Sequence, residues 1–267
     1  MDRAVIGLGI AGLSLVGPGC GEMRSPTEPT RPATVAPLTA RPDLSLVYRA
    51  QGGLTHTIDM LGVGPLKVGD SEVAGSMPTW KFGAAGLTLG ITQPAGTSAT
   101  AAAGVFATPV AFATGTVFGI RARYAGLAGP HAADNIWAAT LVARTGNERH
   151  LASETLASAT VQVRGDGARL NGPGASVPLN LTNVPQDVYN ALFAGSPFTL
   201  ELLVDRVTGV GNAALYVQGF QVSQTFAYAA FTSTGGPTIT AIGAAVAISN
   251  GPGEAASVRV LDFQVFR

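Results

Sequence analysis

Alternation of apolar and polar side chains with a period of two recurs along this chain from Leu44 onward, and it constrains the fold more than any other feature. In one such segment Phe118, Ile120 and Ala122 alternate with two arginines. Neighbouring side chains of a strand point to opposite faces, so each segment has one buried and one solvated face. The predicted strands are residues 44–50, 79–92, 116–124, 135–143, 158–165, 198–204, 213–222, 238–248 and 257–266.

Glycine-rich turns separate these segments. Residues 164–167, 208–212 and 250–253 combine Gly with Asp, Asn or Pro, which is the composition of hairpins and tight turns. Nine or more strands joined by such turns predict an all-β fold, a single antiparallel β-sandwich or barrel of about 220 residues.

Two segments depart from the strand pattern. Val188 and Leu192 recur at helical spacing within residues 185–194 and Gly195 follows them, so one short helix is predicted there. Residues 94–108 are rich in Ala, Thr and Gly and show neither period. They predict a long loop or a weak edge strand.

Composition excludes several classes of protein. Charged residues make up 12% of the 267, roughly half the usual share, and 16 basic residues balance 16 acidic ones. So few charges exclude a coiled coil or a charged helical bundle. A net charge of zero leaves no electrostatic footprint for nucleic acid or an anionic membrane surface, so partners must be recognised by shape.

The first twenty residues have the order of an export signal. Residues 1–3 carry the only charges, residues 4–17 carry none, and small residues lead to Cys20. This is the arrangement of a secretory signal, and 14 uncharged residues are too few to span a bilayer comfortably. We therefore expect an exported protein, in the cell envelope or outside the cell.

Cys20 is the single cysteine of the chain. Gly19, Cys20 and Gly21 resemble the lipobox of bacterial lipoproteins, in which the cysteine is lipid-modified and becomes the new N-terminus. The resemblance implies an N-terminal lipid anchor as the contact with a membrane. Plain secretion and an uncleaved N-terminal segment are the alternatives.

A proline-rich segment follows the leader. Residues 22–42 are rich in Pro and Thr, which favours an extended, solvated spacer over a packed element. We expect residues before Leu44 to contribute nothing to the core. The predicted organisation is a leader at 1–20, a linker at 21–43 and a β-sandwich domain at 44–267.

The C-terminal half resembles a known family. Residues 204–209 (Val-Asp-Arg-Val-Thr-Gly) precede residues 215–219 (Leu-Tyr-Val-Gln-Gly). They are similar to adjacent strands of concanavalin A-like jelly rolls, including laminin-G-like domains, where Val-Asp-x-x-Thr-Gly precedes Leu-Tyr-Val-Asp-Gly. Gln218 replaces the usual aspartate or asparagine. The resemblance implies a jelly-roll sandwich and covers roughly residues 116–267, with a central strand at 136–146 and the last strand at 258–266.

Patterns that indicate catalysis are sparse. Many jelly rolls resemble glycoside hydrolases, whose retaining members need two carboxylates about 5 Å apart. Glu201 and Asp205 share one face of a predicted strand but lie about 13 Å apart, too far for either glycosidase geometry. His56, His131 and His150 have no Gly-x-Ser-x-Gly elbow and no zinc-ligand spacing. The sequence therefore favours a binding protein over an enzyme.

Asp134 and Asn135 form an adjacent acid and amide at the junction between a loop and a predicted strand. Jelly-roll lectins and laminin-G-like domains often hold calcium with such loop oxygens, so the resemblance implies calcium as a candidate ion at this pair. Trp137 is a candidate platform on which a sugar ring could stack. A turn or cap role for the pair and a core position for Trp137 are the alternatives.

Four polar side chains share the face opposite the core in their predicted strands. They are Arg121, Arg123, Thr199 and Glu201. We expect them on the solvent side of one sheet, where a ligand groove would lie, with its rim near Asp134, Asn135 and Trp137.

Three functions are compatible with these features. The first is an exported, non-enzymatic β-sandwich that binds glycan or a cell-surface protein. The second is a polysaccharide-active enzyme, a glycoside hydrolase or lyase, with site residues scattered across strands. The third is a self-associating subunit of a surface layer, fibre or capsid, which the low charge favours.

Overall fold

The computed structural model describes residues 36–267 except 52–54, 71–72, 109, 111–115, 131–133, 145–154, 165–166, 173–174, 181–182 and 228–238. The predicted leader with Cys20, and both His131 and His150, lie outside the described residues. Within the described ranges, no helix is long and apolar enough to cross a membrane.

Strands dominate the described chain, as the alternation predicts. They are β1 (Leu46–Gln51), β2 (His56–Asp59), β3 (Lys67–Asp70), β4 (Met77–Gly83), β5 (Gly86–Thr92), β6 (Ala101–Ala107), β7 (Val117–Ala128), β8 (Ile136–Arg144), β9 (Thr155–Arg164), β10 (Gly167–Gly172), β11 (Ala175–Leu179), β12 (Phe198–Asp205), β13 (Val210–Val217), β14 (Phe220–Ala227), β15 (Ala241–Ser249) and β16 (Ala255–Phe266).

Two antiparallel sheets share one core. The nine-stranded sheet has the order β14-β13-β12-β7-β16-β1-β2, with β5 also paired to β16 and β4 paired to β5. The seven-stranded sheet has the order β11-β10-β9-β8-β15-β6-β3. Phe118 and Leu200 from the first sheet lie in the same hydrophobic cluster as Leu141 and Val246 from the second. The predicted all-β sandwich is confirmed.

Two segments that the alternation predicted as single strands are hairpins. Residues 79–92 cover most of β4, a turn at 84–85 and β5, and residues 213–222 contain the turn between β13 and β14. At the second turn Gln218 and Gly219 both have positive φ, 49° and 81°. Two such residues make the tight turn that suits the twist of paired strands. The prediction of continuous strands was therefore wrong at both places.

The Ala-rich segment predicted as a loop or edge strand is also corrected. Its second half is β6, which is fully buried and pairs with β15 on one side and β3 on the other. A Cβ added at Gly104 would lie 2.8 Å from the carbonyl oxygen of Ala244. The small residues of this strand therefore allow close packing and do not signal a loop.

The one α-helix in the described chain is α1 (Gln186–Phe193), which confirms the helix predicted at 185–194, and residues Leu38–Ala40 form a short 3-10 helix. Val188, Ala191 and Leu192 are buried and face the core. The helix ends at Phe193, and Gly195 lies two residues further on, where φ is 70° and a side chain would be strained.

Residues 36–45, which we call the strap, run over the outer face of the nine-stranded sheet. Leu38 is 2% exposed, and a Cβ at Gly119 would lie 2.6 Å from its side chain. Ser45 and Arg267 exchange two backbone hydrogen bonds of 2.8 and 2.9 Å. The expectation that residues before Leu44 contribute nothing to the core is therefore wrong for Leu38, which is a buried apolar side chain.

Candidate functional site

A band of polar side chains crosses six neighbouring strands on the outer face of the nine-stranded sheet. We call it the polar band. In order across the sheet it consists of Gln221, Tyr216, Thr199, Glu201, Arg123, Arg121, Asp262, Gln264 and Arg49.

Strand register brings the band together in two rows. Glu201 pairs with Arg121 and Arg121 pairs with Gln264. In the adjacent row Thr199 pairs with Arg123 and Arg123 pairs with Asp262. Directly paired side chains on one face of a sheet lie close enough to interact. The structure thus places the four residues that the alternation put on one face side by side.

Glu201 lies at the centre of this band and accepts three hydrogen bonds. They come from Arg121 Nε at 3.1 Å, Tyr216 Oη at 3.0 Å and the backbone N–H of Leu38 at 3.0 Å. Glu201 is only 4% exposed. The expectation of a solvent-exposed carboxylate is therefore wrong, although the face is the outer one, because the strap covers it.

Burial sets the acidity of this group and its neighbour. Loss of solvent raises the pKa of Glu201 above its ordinary value, and the donors from Leu38, Tyr216 and Arg121 only partly oppose that effect. Burial also raises the pKa of Tyr216, and the adjacent Glu201 carboxylate adds to the shift. Tyr216 therefore keeps its proton and donates a hydrogen bond to Glu201.

The rest of the band continues the hydrogen bonding towards β1. Arg121 donates to Gln264 Oε1 at 3.3 Å, and Gln264 donates to Asp262 Oδ2 at 2.6 Å. Asp262 in turn accepts two bonds of 3.1 Å from Arg49. At the other end Gln221 donates to Tyr216 Oη at 3.2 Å. These contacts fix the side chains in one arrangement.

A depression of about 400 Å³ lies beside the buried carboxylate. Arg123, Thr199, Tyr216 and Gln218 line it together with residues 196–198 and Gly219. Arg123 is exposed, and no carboxylate among the described residues forms an ion pair with it. The depression therefore exposes the Arg123 guanidinium, whereas Thr199, expected on the solvent side, is only 9% exposed.

The predicted rim is built differently from the expectation. Trp137 is 3% exposed in the hydrophobic core, and a Cβ at Gly129 would overlap its ring. Its ring faces are therefore covered and offer no stacking platform. Asn135 is 7% exposed and packs near Gly251, whereas Asp134 is exposed. Within the described part of the chain, no group of three acidic, histidine or cysteine side chains could hold a metal ion.

Sequence reasoning missed Tyr216, Gln264, Asp262 and Arg49. A signal was present, because Asp262 and Gln264 alternate with the core residue Phe263 in the last strand. Their face can be read from the sequence. Their neighbours cannot, because β16 pairs with β7 across more than a hundred residues of chain.

No protein-family model matches the chain, and no curated protein matches it. Solved structures do resemble it. An endo-β-1,4-glucuronan lyase from the fungus Trichoderma reesei is 12% identical with a TM-score of 0.49, covering 83% of this chain and 95% of that one. The CBM2 module of the evolved Dit of Lactobacillus casei BL23 phage J-1 is 10% identical with a TM-score of 0.46, covering 84% and 95%.

Plant lectins are also among these structures. Metal-free lectin I-B4 from Griffonia simplicifolia is 11% identical with a TM-score of 0.42, covering 75% of this chain and 99% of that one. At such identities the likeness is one of fold alone. The fold is that of an all-β sandwich with a single α-helix in its described part.

Proposed function

We propose that this protein is an exported, non-enzymatic glycan-binding β-sandwich, and that the polar band with its depression is the binding surface. The observation that carries the proposal is the hydrogen-bonded row from Gln221 through Glu201 to Arg49, beside a depression that exposes Arg123.

The arrangement suits a hydroxyl-rich ligand. Polar ligands are oriented by a few well-placed donors and acceptors, and binding is tighter when those groups are held in place beforehand. Glu201 holds Tyr216 and Arg121 through hydrogen bonds, and Thr199 and Arg123 lie in the next row. A ligand would therefore meet side chains whose rotamers are already fixed on rigid strands.

Binding fits the geometry better than turnover. A polysaccharide-active enzyme on this fold is the alternative, and Glu201 would be its natural acid or base. Glu201 is 4% exposed and already accepts three hydrogen bonds. Asp205 accepts the N–H groups of Val207 and Thr208 at 2.8 and 3.1 Å, which is the role of a turn residue.

The proposal includes the organisation inferred from the sequence. Residues 1–20 act as the export leader, Cys20 carries the lipid anchor, and the following segment leads to the sandwich. Intact-mass analysis of native protein tests the leader. A lipid-modified Cys20 at the N-terminus is the expected result, and an intact Met1 would contradict it.

Affinity measurements on immobilised polysaccharides test the binding surface. We expect Arg123→Ala combined with Gln218→Gly to weaken binding by about tenfold or more, equivalent to about 1.4 kcal/mol. Glycine suits position 218 because φ is positive there. The control is Arg259→Ala, an exposed arginine of β16 outside the depression. Unchanged affinity in the double variant would refute the assignment.

A further inference from the structure

The outer face of the seven-stranded sheet carries a second polar depression, of about 250 Å³. We call it the hydroxyl-amide groove. Ala138 and Ala247 pair across strands at its floor, so no large side chain fills it. Its polar lining is uncharged and consists of Thr100, Thr140, Thr160, Gln162, Asn171 and Ser249.

Hydrogen bonds hold the groove's side chains in place. The hydroxyls of Thr140 and Thr160 lie 2.7 Å apart, and Asn171 Nδ2 donates to Gln162 Oε1 at 2.6 Å. The second bond uses the oxygen of one amide and the nitrogen of the other. Gln162 Nε2 and Asn171 Oδ1 are therefore left as a donor and an acceptor for a ligand.

Two arginines stand next to this groove. Arg169 pairs with Gln162 across β9 and β10, and Arg164 lies one step further along the same face. Both line a depression of about 300 Å³ together with Tyr189 and Asn180. In the described chain neither arginine has an ion-pair partner, and Arg164 Nε is buried without a hydrogen-bond partner.

These arginines differ from two of the three arginines in the polar band, since the third, Arg123, also has no ion-pair partner among the described residues. There Arg121 and Arg49 each contact a carboxylate within 3.1 Å. Two like charges on one face repel each other, and an unsatisfied guanidinium nitrogen has a free-energy cost. An anion placed between Arg164 and Arg169 would remove both costs, since guanidinium groups match carboxylates and sulfates in geometry.

We propose that this face is a second saccharide site, specific for an acidic sugar. The ring hydroxyls lie in the hydroxyl-amide groove, and the carboxylate or sulfate of the sugar binds between Arg164 and Arg169. Ala138 and Arg169 are two strand spacings apart, about 10 Å. The ligand therefore extends over more than one sugar unit. This site lies on the opposite sheet from the polar band and does not depend on the function proposed for that band.

Calorimetry with a galacturonic acid hexasaccharide and its fully methyl-esterified form tests the proposal, because esterification removes the charge and keeps the hydroxyls. We expect the acid to bind at least about tenfold more tightly than the ester. The double variant with Arg164→Gln and Arg169→Gln should abolish that preference. Thr160→Val should weaken the binding of both the acid and the ester. Dextran sulfate against dextran distinguishes a sulfate from a carboxylate as the preferred anion.

Matched variants separate this site from the polar band. Arg259→Gln removes one exposed charge elsewhere and should leave the preference unchanged. Arg123→Ala with Gln218→Gly removes the contribution of the polar band to binding, and the preference for the acid should persist at the remaining site. The proposal is overturned if the acid and the ester bind with equal affinity, or if no charged probe binds. It is also overturned if binding of the acid is lost only in the variant with Arg123→Ala and Gln218→Gly. In the last case the polar band alone is the site.

Discussion

Glu201 is held in the fold with a pKa above its ordinary value of 4.5, because burial outweighs its three donors. The folded state therefore binds the proton more tightly than the unfolded state. The stability that Glu201 contributes is fully present below pH 4.5 and is lost as pH rises through the raised pKa.

The substitution Glu201→Gln tests the direction of this pH dependence, because glutamine keeps the shape of the side chain but does not titrate. We expect the free energy of unfolding of the native protein to fall relative to the variant as pH rises from acid to neutral. Urea unfolding at a series of pH values measures the difference in free energy of unfolding between the two proteins. Titrating groups that the two proteins share contribute equally to both and drop out of this difference. Parallel pH profiles for the two proteins would mean that Glu201 titrates normally.

At the residue scale, the sequence predicts faces but not neighbours. The alternation of side chains along β7 and β12 is enough to put Arg121 and Glu201 on the outer face. It says nothing of what covers that face. Glu201 is buried by Leu38, which lies 163 positions away in the chain. Trp137 was equally open to both interpretations, because a ring that faces the core and one that faces a ligand have the same sequence pattern.

The strap contains only one short 3-10 helix, at Leu38–Ala40, and we expect it to contribute to stability. Burying one leucine contributes about 1.5–3 kcal/mol, and a hydrogen bond to a charged group contributes a similar amount. Ordering the strap offsets part of this gain. We expect a chain that starts at Leu44 to have a free energy of unfolding about 2–3 kcal/mol lower than one that starts at Ala36.

Urea denaturation of the two chains measures the effect of the strap. Leu38→Ala in the longer chain is the control, because it keeps the backbone donor to Glu201 and removes only the apolar contact. It should account for part of the loss. Equal midpoints for all three proteins would show that the strap does not stabilise the sheet.

At the element scale, predictions succeed where alternation or helical spacing is local and fail where pairing decides. The helix at Gln186–Phe193 and strands such as β12 follow from local periodicity. β6 does not, since an Ala and Gly sequence has no amphipathic pattern and is selected by close contact with β15. The turn at Gln218 was missed because glutamine rarely adopts positive φ.

Each sheet of the molecule carries polar side chains on part of its outer face, on either side of one core. Both sheets contribute to the same hydrophobic cluster, so the polar band and the hydroxyl-amide groove point away from each other. Packed sheets lie about 10 Å apart, and one short ligand cannot reach around them. If both proposed sites are correct, a single protein can bind two glycan chains at once.

This bivalence predicts cross-linking of a long acidic polysaccharide. Mixed with polygalacturonate, the protein should form large particles at intermediate ratios that dissolve when either component is in excess, because excess occupies all sites separately. Light scattering follows their size. Arg164→Gln with Arg169→Gln, or Arg123→Ala with Gln218→Gly, should each abolish cross-linking and keep simple binding. If both variants still cross-link, self-association of the protein would be the cause, and scattering by protein alone would then rise with concentration.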